Sequence, residues 1–130
     1  MTAIDELRAA VIADMQAEVR KVNEEKGWWD EPVTFERAIA NLHGEVSEAW
    51  EAWRKWGTDD ATEEFVPGSV GAMDAVFQPP EPEGVGSEFA DILIRLLDDC
   101  ERFGVDLVAE YARKLAYNRT RTHRHGNKRA

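Results

Sequence analysis

Apolar residues recur at three- and four-residue spacing in four separate stretches of this 130-residue chain, and the strand candidates, Phe65-Val66 and Ala75-Val76-Phe77, are too short to be more than loop anchors. That periodicity leaves helix packed on helix as the way to build a core, so the expected fold class is all-α, a four-helix bundle-like arrangement whose stripes meet in the middle. Ile4, Leu7, Val11, Met15, Val19 and Val22 set the first stripe, over a helix from Ile4 to about Glu25 that Gly27 ends. Thr34 is placed to cap the second, striped by Phe35, Ile39, Leu42, Val46, Ala49 and Trp53 and stopping near Gly57. The third runs from about Ser87, a candidate cap, through Phe89, Ile92, Leu93, Leu96, Leu97, Cys100 and Phe103 to Gly104. The fourth begins at Asp106 and carries Leu107, Val108, Tyr111 and Leu115.

Between helices two and three, Gly57 to Gly86 holds five glycines and four prolines, which excludes regular helix and makes a loop unusually long for a compact domain. Such loops are usually functional or disordered. The length suits one domain, 1–130, with a real core and hardly two. No apolar run is long enough to cross a bilayer, and MTAIDELRAA lacks the basic and apolar regions of a signal peptide, so the expected location is the cytoplasm. The single cysteine, Cys100, has no disulfide partner in the chain and reads as a small buried hydrophobe.

The formal net charge of -10 argues against binding to a nucleic-acid backbone, and no membrane partner is expected. The distribution says more. Seven acidic and no basic residues fall between Gly57 and Ser87, whereas 119–130 holds five basic and no acidic ones. An acidic middle with a basic tail suggests an anionic ligand that is charge-paired or bridged by metal.

Within helix two, Glu45 lies roughly 90° and Glu48 roughly 150° from the stripe centre, on one side, with Glu51 on the other. Helix three places Glu88 and Asp91 at about 105° and 165° with the same hand. Acids three apart on an exposed face are common, and in a chain with 26 of them each pair alone reads as a solvated surface. Matched columns on two helices flanking one long loop are a different matter: packed antiparallel, they turn four carboxylates toward one cleft. Such a cluster repels itself unless protonated or neutralised, and magnesium, which takes hard oxygen ligands and keeps room for water and phosphate oxygens, is the natural counter-ion. A ferritin-type di-iron site is disfavoured, because the positions three before His43, His123 and His125 are Ala40, Thr120 and Thr122 rather than glutamate.

With these residues in place the chain resembles the all-α nucleoside triphosphate pyrophosphohydrolases of the MazG-like type, whose signature is ExxE, a variable insertion, then ExxD, each pair on its own helix. "GEVSE" (Glu45, Glu48) and "SEFAD" (Glu88, Asp91) look like those pairs, and the closing "KLAYNRTRTHRHGNK" is similar too, so the likeness spans roughly Phe35 to Lys128. Gly44 stands where many members carry a further glutamate, as in the related deoxycytidine triphosphate pyrophosphatases. The insertion from Gly57 to Ser87 is long for either group.

The resemblance implies magnesium-dependent hydrolysis of an NTP or dNTP between the α- and β-phosphates, as in clearing the nucleotide pool, by a homodimer or homotetramer. Glu45, Glu48, Glu88 and Asp91 would hold the metal, Glu48 would also accept the proton of the attacking water, and Lys55 matches a position that meets phosphate. Lys114, Asn118 and Arg121 share one face of helix four or its end; either they grip phosphates or the cations complement the helix dipole. The basic end with His123 and His125 either closes over the triphosphate or is a loose tail. Trp53 belongs to the core stripe, while Trp50 and Trp56 drift off it toward a nucleobase pocket or a subunit contact. A phosphoribosyl-ATP pyrophosphohydrolase is the alternative within the same chemistry. A non-catalytic helical interaction module is the alternative outside it.

Overall fold

The computed structural model describes residues 2–58 and 80–129. They form five helices, α1 (Ala3–Glu25), α2 (Phe35–Trp56), α3 (Val85–Phe103), α4 (Leu107–Thr120) and α5 (Arg124–Asn127), and no strand occurs among them. The all-α expectation therefore holds, and the four long helices lie where the periodicity puts them.

Local chemistry fixes their ends. Thr2 and Asp5 close a capping box ahead of α1, a reciprocal pair of bonds that satisfies amide groups the first turn leaves open. Thr34 accepts a hydrogen bond from the Arg37 N–H at 3.3 Å and Asp106 from the Ala109 N–H at 3.0 Å, so both anticipated caps form. At the far end of α2 the chain turns out through Gly57 at φ +67°, where a side chain would be strained, and the Gly57 N–H donates to the Trp53 carbonyl at 2.8 Å.

Two expectations need correcting. α3 starts at Val85, ahead of Ser87, whose hydroxyl donates back to the Pro82 carbonyl at 2.9 Å instead of capping the helix. The basic tail also holds a single kinked turn, α5, with His125 and Gly126 at positive φ. Most of the long loop, 59–79, lies outside the described residues, and with it Phe65-Val66 and Ala75-Val76-Phe77.

The chain divides into two compact units, Met1–Glu31 with Leu97–Ala130, and Pro32–Leu96. In the first, α1 packs on α4. Leu97 and Cys100 are buried, as the sequence anticipates for the cysteine, and Gln16 donates to the Leu97 carbonyl at 3.3 Å. Burial, and then the charge of Asp99, pushes the Cys100 thiol up. In the same unit Trp29 is held among charged groups. The Arg20 and Arg102 guanidinium carbons stand 3.3 and 3.9 Å from the ring centroid, which steric exclusion permits only from opposite faces. The Trp29 indole N–H donates to Asp98 at 2.9 Å, Asp98 pairs with Arg102 at 3.3 Å, and Arg102 donates to the Trp28 carbonyl at 2.7 Å. The GWWDEP turn is thus pinned by charge as well as by its glycine.

In the second unit α2 buries a face other than the one its apolar pattern marks. Ala38, Glu45, Ala49 and Ala52 are buried, whereas Phe35, Val46, Trp50 and Trp53 are 57%, 52%, 59% and 51% exposed. The expectation that the large stripe meets the core fails for these residues, Trp53 included. Side chains of α2 and α3 meet in this unit through the ion pair of Glu45 with Arg95.

Candidate metal centre

Glu45 sits in the middle of the buried alanine face of α2, Glu48 lies one turn on and is exposed, and Glu88 is half-buried in the first turn of α3. An acid in that first turn complements the positive end of the helix dipole. One carboxylate oxygen from each of the three lies within 4.8 Å of the other two, a group able to hold a metal ion. Two helices and three hard oxygen donors meet there.

The electrostatics are those of crowded anions. A side-chain interaction with Glu45, followed by the charge of Glu45, burial and the charge of Glu88, holds Glu48 above the ordinary carboxylate range, with Arg95 opposing. Burial is the first cause at Glu88, raised further by the charges of Asp91, Glu45, Glu81 and Glu83. Asp91 is raised as well, by burial and then Glu45, against a lowering by Arg95. A positive ion placed among these groups would reverse each of those shifts.

Of the four anticipated carboxylates, the structure groups Glu45, Glu48 and Glu88, and Asp91 is half-buried one turn beyond Glu88 without joining that group. The sequence reading passed over Arg95, whose Nε donates to Glu45 and forms the ion pair between α2 and α3. Its position one turn past Asp91 and two past Glu88 was the available signal, hidden by attention to acids alone. Glu81 and Glu83 add negative potential from just ahead of α3.

Lys55 belongs to the same unit, in the last turn of α2, with its ammonium 5.3 Å from the Trp56 ring centroid. Seven residues after Glu48, it lies on the same side of the helix about 10 Å further along. In the other unit, Lys114 and Arg121 gather over the Tyr117 ring at 5.5 and 5.9 Å, and Asn118 accepts the Arg121 N–H through its carbonyl at 3.2 Å. Arg121 is the C-cap residue just past the last turn of α4. No helix among the described residues is long and apolar enough to cross a membrane.

No family model, curated protein or solved structure matches the chain.

Proposed function

We propose that the chain is a magnesium-dependent nucleoside triphosphate pyrophosphohydrolase of MazG-like type, cleaving an NTP or dNTP in the cytoplasm to the monophosphate and pyrophosphate. The observation that carries this reading is the meeting of Glu45, Glu48 and Glu88 from two helices, with their oxygens within 4.8 Å. Hard carboxylate oxygens crowded until their proton affinities rise are a donor set that fits magnesium. These three residues, with Asp91 beside them, would hold it, and bound magnesium supplies charge neutralisation of phosphate oxygens and acidification of water.

The remaining work falls to the chain. Buried Glu45, held by Arg95, and half-buried Glu88 are the fixed donors. Glu48 is exposed, so it can take the proton of the attacking water and release it to solvent. Lys55, on the same side of α2, is the cation that meets the phosphates from this unit.

A second reading is favoured by one observation. The Glu45–Arg95 ion pair already neutralises part of the cluster without metal, as a purely structural helix contact in a non-catalytic interaction module would. Pyrophosphate release from a panel of NTPs and dNTPs, with and without magnesium, on the wild type and on Glu48→Gln, separates the two. The enzyme releases pyrophosphate only with metal and loses it on substitution. Absence of release, together with no gain in thermal stability from magnesium plus a non-hydrolysable nucleotide, selects the module.

A further inference from the structure

With an advance of about 100° per residue, Glu88, Asp91 and Arg95 fall within about 60° of arc on α3, so a basic side chain stands on the acidic side of that helix. There the Arg95 Nε donates to Glu45 on α2, and among the described residues no other basic side chain is ion-paired with Glu45, Glu48, Glu88 or Asp91. The two ends of the pair have different surroundings: the Glu45 side chain is 10% exposed and that of Arg95 44%. A carboxylate that dry needs a positive partner to stay charged, and a guanidinium, which keeps its proton throughout, is the partner this chain provides. Its charge bears on Glu48 and Asp91 as well as on Glu45. Arg95 thus acts on three of the four acids that matched across the two helices.

We infer that Arg95 is the built-in counter-charge of this centre, stabilising the chain without metal and lowering its affinity for magnesium. This role rests on the magnesium reading above and deepens it. A guanidinium close enough to pair with Glu45 is close enough to repel a divalent ion held by the same carboxylate, and twice as strongly as it would a monovalent one. Its hold on Glu45 must also be shared or loosened before that carboxylate serves as a donor. Both effects act in one direction. A purely supporting role, in which Arg95 only orients Glu45, predicts the reverse, because losing the outer partner of a metal ligand weakens metal binding. The reach of the charge favours the first role: orienting Glu45 needs one hydrogen bond, whereas here a full positive charge bears on three acids. The consequence is a chain that folds with or without metal and takes up magnesium loosely enough to release it.

Isothermal titration calorimetry of the full chain with magnesium alone, joined to circular-dichroism melts with and without the ion, tests this. Arg95→Gln removes the charge but keeps an N–H able to donate to Glu45. It is expected to bind magnesium about tenfold tighter than wild type and, without metal, to melt about 5 °C lower. Saturating magnesium closes that melting gap, because the ion supplies the missing positive charge. Arg95→Lys keeps the charge and stays within about threefold of wild type in affinity. Arg95→Met, which removes the hydrogen bond too, keeps the tighter binding; a neutral variant unfolded without metal supports the same conclusion if magnesium restores its helicity, and counts against it if not. Arg95→Gln binding equally or more weakly overturns the inference and makes Arg95 a support for Glu45. So does Arg95→Lys binding as tightly as Arg95→Gln. If wild type and variants all ignore magnesium, the inference falls together with the proposed metal chemistry. If wild type binds the ion and releases pyrophosphate while the neutral variants bind no tighter, the inference falls alone.

Discussion

Along α2 the face made of the smallest side chains is buried and the face made of the largest is exposed, although the two are only a quarter turn apart. The difference separates two jobs that apolar patterning treats as one. From the buried alanine face Glu45 reaches Glu88 and Arg95 of α3. Phenylalanine, valine and tryptophan provide area instead, which is worth most against a flat, complementary surface. The small face carries Glu45 inward; the large face is left in water.

The comparison is broken most severely at its chemical end. Glu48→Gln keeps the shape of the side chain but removes the carboxylate proposed to accept a proton, and a fall of at least about a hundredfold in magnesium-dependent pyrophosphate release is expected. Steady-state assays with unchanged circular dichroism check it. Next in size is a steric exchange between the faces. Ala49→Leu crowds the buried face and should cost about 1–3 kcal/mol in chemical denaturation, whereas Trp53→Ala should change stability by less than about 0.5 kcal/mol.

The acid cluster predicts a smaller, pH-dependent effect. Glu48, Glu88 and Asp91 hold protons more tightly in the folded chain than at their ordinary values of 4.5, 4.5 and 3.8. Their contribution to stability is therefore complete below those values and is lost as pH rises through the raised ones. Without metal, wild type should melt progressively lower relative to Glu48→Gln as pH rises from about 4 to 7. Magnesium should narrow that gap at neutral pH and have no effect on it in acid, because it needs the ionised carboxylates. Smallest of all, Gly44 lies on neither face, and a methyl group there meets nothing within 4 Å. Gly44→Ala should raise stability by about 0.5–1 kcal/mol through helix propensity alone, seen as a higher denaturation midpoint.

Helix existence and most helix ends were legible because they depend on neighbours in sequence: Thr34, Asp106, Gly27 and Gly57 do locally what residues of those kinds do. Ser87 misled because its hydroxyl had a competing acceptor behind it, the Pro82 carbonyl. The convergence of Glu45, Glu48 and Glu88 was legible from matched acidic columns on two helices. The burial of the alanine face was not, because periodicity reveals which residues share a face but not which face of an amphipathic helix its own chain covers. Arg95 was missed for a related reason, since its importance comes from Glu45, fifty positions away.

The setting of Trp29 has an optical consequence. Its indole lies between two guanidinium groups and donates its N–H to a carboxylate, while Trp50 and Trp53 face water as a stacked pair. An aqueous quencher should therefore extinguish the fluorescence of the pair well before that of Trp29, whose faces are already occupied. Chains retaining only Trp29 or only the pair would carry built-in reporters for the two compact units, allowing each to be followed through unfolding without any attached dye.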